Sequence, residues 1–108
     1  MVNKLKKNKA FLILVLTTDR KQALTLLSVL TLHQTKVLYE VFHNILANTL
    51  DLDKRTIKQL SRYKRVVKYL AGGATLKNKQ KYIKTHKNQV FASLRLISKR
   101  LLPFVDNL

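Results

Sequence analysis

Between Lys54 and Lys87 the chain runs for thirty-four residues with twelve Lys and Arg and no acidic side chain. The apolar residues inside that stretch return at helical spacing. Ile57, Leu60, Val67 and Leu70 form one stripe, with Tyr63 and Val66 beside it. Lys54, Lys58, Arg62 and Arg65 recur at i, i+4, i+8 and i+11 on a different face. Like charges at that spacing repel by a few tenths of a kcal/mol per pair in an isolated helix. The pattern predicts an amphipathic helix that turns a concentrated positive face away from the core.

The rest of the chain agrees with a helical reading. Hydrophobic residues make up 46% of the 108, enough for a core, while two glycines and one proline leave few tight turns. There is no cysteine, so disulfides and thiolate metal sites are excluded. We expect an all-α fold, a compact bundle of five or six short amphipathic helices. Residues 1–10 read as a basic N-terminal arm, and 11–108 as a single helical domain.

Phe11 to Leu16 is apolar on all sides, and its six residues fit a buried helical turn or a short strand equally well. It is too short for the roughly eighteen residues a membrane span needs, and below the roughly 7–15 of a signal peptide core. No small-residue cleavage site follows it, so secretion is not expected.

Thr18 or Asp19 should cap a helix carrying Ala23, Leu24, Leu27 and Leu30, with a break from Thr31 to Gln34. Val37, Leu38, Val41, Phe42, Ile45 and Leu46 form the clearest stripe, with Lys36, Glu40, His43 and Asn44 off it and Asn48 as a stop. Asp53 should cap the basic helix, and Gly72 or Gly73 should end it in the left-handed conformation. Thr75 opens a short helix with Leu76 and Ile83 inward, almost surrounded by lysines. A last helix from near Asn88 carries Val90, Phe91, Leu94, Ile97 and Leu101, with Arg95, Lys99 and Arg100 outward and Pro103 ending or kinking it.

The order of these segments resembles a known family. Asn3-Lys4-Leu5-Lys6-Lys7-Asn8 leads into Ala10-Phe11-Leu12. Val37-Leu38-Tyr39-Glu40-Val41 and Asn44-Ile45-Leu46 follow, then Leu60-Ser61-Arg62-Tyr63-Lys64 and Leu70-Ala71, and then Leu76-Lys77-Asn78-Lys79-Gln80-Lys81. The chain is similar to small basic proteins encoded by adintoviruses and by Maverick/Polinton-type elements, which have been likened to adenovirus basic core proteins. Many members carry Gly-Gly-Phe near the C-terminal helix, where this chain has Asn88-Gln89-Val90-Phe91. The resemblance implies a structural protein that accompanies packaged DNA, in the virion interior or the host nucleus.

The charge leads to the same class. A net charge of +17 on 108 residues opposes compaction, and a polyanion relieves that repulsion. The acids are segregated too, since from Lys54 onward fifteen basic residues meet only Asp106. Solvated surfaces normally mix signs, so this one is read as a phosphate-binding face.

The candidate residues are Lys54, Arg55, Lys58, Arg62, Arg65 and Lys68, with Lys77, Lys79, Lys81, Lys84 and Lys87 adding affinity without orientation. Tyr63, Tyr69, Tyr82 and Phe91 read as packing beside lysine stems rather than as base-stacking platforms. No finger spacing or RNP-like motif suggests base readout.

The expected activity is sequence-independent binding or condensation of nucleic acid, DNA before RNA, with a capsid protein and a second copy as further candidate partners. The alternatives are a death-domain-like interaction module, or a capsid-lining or membrane-active protein using the last helix. His33, His43 and His86 are too scattered for a metal site, and no catalytic constellation appears. Enzymatic activity, a cofactor and a small-molecule substrate are therefore not expected.

Overall fold

The computed structural model describes residues 8–46 and 52–106. Within them the apolar run Phe11–Leu16 settles as helix, at the centre of α1 (Lys9–Thr17), with Leu12, Val15 and Leu16 buried. Asp19, not Thr18, opens α2 (Arg20–Ser28), its carboxylate accepting the Gln22 N–H at 2.8 Å. Thr31 and Gln34 exchange hydrogen bonds of 3.1 and 3.0 Å, a reciprocal cap that opens α3 (Leu32–Leu46). The expected break from Thr31 to Gln34 is therefore the first turn of a helix.

Asp53 accepts the Thr56 N–H at 2.7 Å and opens α4 (Lys54–Leu60). A 3₁₀ turn (Ser61–Tyr63) joins it directly to α5 (Lys64–Ala71). Thr75 caps α6 (Leu76–Thr85) by accepting the Asn78 N–H at 3.2 Å. The longest helix, α7 (Lys87–Asp106), runs for 20 residues.

The result is an all-α bundle with no strand among the described residues. Counting α4, the turn and α5 as one helical run, six described runs pack together. α7 crosses α1, α2 and α4, and α3 lies against α5 and α6. The core joins Val37, Leu38, Val41 and Phe42 of α3 to Val90, Leu94, Ile97 and Leu101 of α7. Ala23 and Leu27 of α2 and Ile83 of α6 are buried as well, as their spacing predicts.

Hydrogen bonds between distant segments close the bundle. Gln80 Nε2 donates to Leu30 O at 2.5 Å, tying α6 to the α2–α3 corner. Arg20 Nη2 donates to Asn88 Oδ1 at 2.8 Å, and Lys87 Nζ to Ser28 Oγ at 3.0 Å.

Several expectations are corrected. The basic helix is not continuous, because the chain tightens into i→i+3 bonding at Ser61 and leaves helical geometry at Tyr63, with φ −111° and ψ 21°. Its inner stripe loses Ile57, which is 50% exposed, since Leu60 alone carries α4 into the core. Neither Gly72 nor Gly73 is left-handed. Gly72 is extended at φ −86°, ψ −161°, and its carbonyl receives a lysine side chain instead of a Schellman bond.

Arg95 does not point outward. Its guanidinium donates to Thr18 O, with Val15 O at 3.5 Å, and so caps the C-terminus of α1. α7 continues through Pro103 to Asp106 rather than ending there. The basic arm expected over 1–10 already gives way to helix at Lys9. Its first seven residues, the side chains of Asn44, Ile45 and Leu46, and Asn48 lie outside the described residues.

Candidate nucleic-acid interface

The interruption at Ser61–Tyr63 borders a groove lined by four cations. An unbroken helix would carry Arg62 and Arg65 along the Lys54–Lys58 row. The 3₁₀ turn re-phases the chain into α5, which packs on α3, touches α7 and stacks Tyr69 on Tyr82 of α6. There a groove of about 710 Å³ opens. One wall is Arg62, Lys64, Arg65 and Lys68, and the other is Tyr82 of α6, His86 just beyond its end, and Gln89 of α7. No lining residue is acidic. All four cations are exposed, and none of their side chains has a hydrogen bond or ion pair among the described residues.

The aromatic wall is a stack of rings. Tyr82 is stacked between Tyr69, at 4.0 Å between ring centroids, and His86, at 4.1 Å. His86 Nδ1 lies 3.1 Å from Tyr82 O. Tyr82 thus has both faces covered, in keeping with its reading as packing. Phe91 is half-buried under the Arg95 guanidinium, 4.7 Å from its ring centroid. Tyr63 differs: it is half-buried, lines the groove, and has neither a ring contact nor a side-chain hydrogen bond among the described residues.

The eleven candidate cations do not gather into one surface. Arg62, Arg65 and Lys68 enter the groove. Lys54, Arg55 and Lys58 are exposed at the other end of α7, where the Asp53 carboxylate feels both Arg100 and Arg55. Gln89 and Arg100 are separated by about 16 Å of helix at 1.5 Å per residue. Lys77, Lys81 and Lys84 share an exposed stripe of α6. At 3.6 residues per turn that stripe lies on the opposite side of the helix from Tyr82 and His86.

Lys87 is half-buried and engaged with Ser28. Lys79 is a correction, for it is 3% exposed and unavailable to any phosphate. Its Nζ donates to Gly72 O at 2.7 Å and sits 3.7 Å from the centre of the Tyr39 ring. Burial holds its pKa below the ordinary lysine value. In place of αL glycine chemistry, this ammonium ties the end of α5 to α6.

Charge and stripe alone do not single out three of the groove's residues, Lys64, His86 and Gln89. Lys64 is legible only as one more cation in the acid-free stretch. His86 and Gln89 signal nothing in sequence, because their shared position with Tyr63 arises from packing between α5, α6 and α7.

The apolar stripe of α7 is used up in the core, with Val90, Leu94, Ile97 and Leu101 all at 1% exposure or less. No described helix is long and apolar enough to cross a membrane. Among the described residues no three metal-ligating side chains come together. Set against known protein families, curated proteins and solved structures, the chain shows no match.

Proposed function

We propose that this protein binds nucleic acid without sequence preference, duplex DNA before RNA, and helps to neutralise or condense it. The observation that carries the reading is the groove of Arg62, Lys64, Arg65 and Lys68, with no acid in its lining. Arginine forks fix phosphates in orientation, while lysines supply field. Lys54, Arg55 and Lys58 at one end, and Lys77, Lys81 and Lys84 on another face, give one molecule several separate phosphate contacts. A protein that is cationic on more than one side draws polyanion segments together, which suits condensation better than register-specific docking. The resemblance to basic proteins of adintoviruses and Maverick/Polinton-type elements agrees with a role in a virion core or an element's nucleoprotein, inside the particle or the host nucleus.

The test is a titration of duplex DNA against salt. Each neutralised phosphate contributes a slope of about −0.9 in log K against log salt, so affinity should drop steeply between low and moderate salt. The double reversal Arg62→Glu with Arg65→Glu should weaken all duplex sequences about equally. Lys77, Lys81 and Lys84 changed together to Ala should flatten the slope by about 2–3. A salt-independent response would overturn the proposal.

A further inference from the structure

The groove has a continuation. A second depression of about 380 Å³ lies beside it, lined by Arg20, Asn88, Phe91 and Ala92. The two share Tyr63 and Gln89, so together they form one channel with that tyrosine and that amide at its middle. Phosphate-binding side chains bound one half of the channel on the α5 side. The second depression adds Arg20, whose Nη2 is engaged with Asn88 Oδ1, and rings and amides line much of the rest: Tyr63, His86, Phe91, Asn88 and Gln89.

A duplex keeps its base faces stacked inside and offers such a channel only phosphates. An unpaired strand offers phosphates and base faces together, and proteins that hold single strands pair a cationic track with an aromatic platform. The Tyr63 ring meets the requirement for a platform. It is half-buried, yet no ring or hydrogen-bond partner among the described residues occupies it. Arg62 and Lys64 flank it in sequence and line the same groove. Gln89 carries an amide that donates and accepts, so it suits base edges without selecting one.

We infer that the channel takes up an unpaired stretch of nucleic acid, with one base stacked on Tyr63 and its neighbouring phosphates held by Arg62, Lys64 and Arg65. This rests on the nucleic-acid reading of the same groove and adds a preference within it. Duplex DNA would be held by the outlying lysines and the groove's rim, and unpaired ends, bubbles or packaged single strands by the channel itself.

The experiment compares the full chain with Tyr63→Leu, Tyr63→Phe and Tyr63→Trp, titrated with an oligothymidine and with a duplex of equal length at one salt concentration. Leucine keeps apolar bulk but removes the π-face, so Tyr63→Leu should lose about tenfold in oligothymidine affinity while duplex affinity stays within about twofold. Tyr63→Phe should bind both as the parent does, because the hydroxyl has no partner to lose among the described residues.

The chain has no tryptophan, so Tyr63→Trp provides a single reporter whose fluorescence should be quenched by oligothymidine and not by duplex. That variant decides the matter even if Tyr63→Leu does not fold. Thymidine monophosphate at the same nucleotide concentration should not displace the oligonucleotide, since one phosphate cannot use the whole track. Equal losses on duplex and single strand, an unquenched indole signal from Tyr63→Trp, or displacement by the mononucleotide would overturn the inference. Salt-dependent duplex binding with no selective effect at Tyr63 would sink this proposal alone, whereas no salt-dependent binding of either nucleic acid would remove the function beneath it.

Discussion

Lys79 illustrates how one residue changes meaning between sequence and fold. It sits in a run of alternating lysines, and nothing local separates it from Lys77 or Lys81. Only the packing of α6 on α3 and α5 turns it inward, where Gly72 O and the Tyr39 ring replace water around the ammonium. Its folded pKa lies below the unfolded value of 10.5 because burial disfavours the charged form. Between those two values the unfolded chain holds more protons than the folded one, so this group makes stability rise with pH across that window. Lys79→Met should abolish that rise, measured as unfolding free energy from neutral pH to about pH 10.5 against the parent. At neutral pH the variant should stay within about 1 kcal/mol of the parent, since the lost cation–π and hydrogen bond are offset by the removed desolvation cost. Its DNA affinity and salt slope should be unchanged. A slope reduced by about one would return Lys79 to the proposed phosphate-binding set.

At the scale of the element, the helix starts follow rules that act within one turn. Asp19, Thr31, Asp53 and Thr75 each stand where their side-chain oxygen meets a backbone N–H three residues on. Asp19→Ala should cost about 1 kcal/mol, seen as a lowering of the thermal midpoint by about 4–8 °C. Asp53 adds a pH dependence. Its carboxyl is held below the usual value first by the Thr56 side chain and backbone N–H, then by Arg100 and Arg55. A depressed carboxyl pKa contributes stability that is complete above the unfolded value near 3.8 and is lost as pH falls through the folded one. Asp53→Asn keeps a capping oxygen but nothing that titrates. Followed by circular dichroism, it should therefore lose less stability than the parent between about pH 5 and about pH 2. Equal losses in the two chains would mean that the cap does not carry the acid sensitivity. What local rules do not reveal is where a helix is re-phased. Ser61-Arg62-Tyr63 has no Pro or Gly to mark a break, and the 3₁₀ turn is imposed by Leu60 and Val66 both entering the core from a short run. Ile57 is exposed for the same reason.

For the whole molecule, the charge is the governing quantity. A folded chain at +17 repels itself, and the exposed cations on α4, α5 and α6 have few acids near them. The thermal midpoint of the free protein should therefore rise with salt, as screening relieves repulsion over about 10 Å at roughly 0.1 M. At low salt, added DNA should raise it further by binding the folded state. Scanning calorimetry checks both, and a midpoint that falls with salt would mean attractive pairs dominate the folded surface.

Fold class and core were written in the order of residues alone. The stripes Val37–Phe42 and Val90–Leu101 bury as their spacing requires, because helical periodicity is set by backbone geometry and repeats every few residues. The caps are equally local. The groove, the burial of Lys79, the inward turn of Arg95 and the place of Tyr63 in the groove were decided by the tertiary structure. Each depends on segments brought together from distant parts of the chain, and the energy that turns a side chain in or out there is its exchange of water for whatever the opposing helix presents.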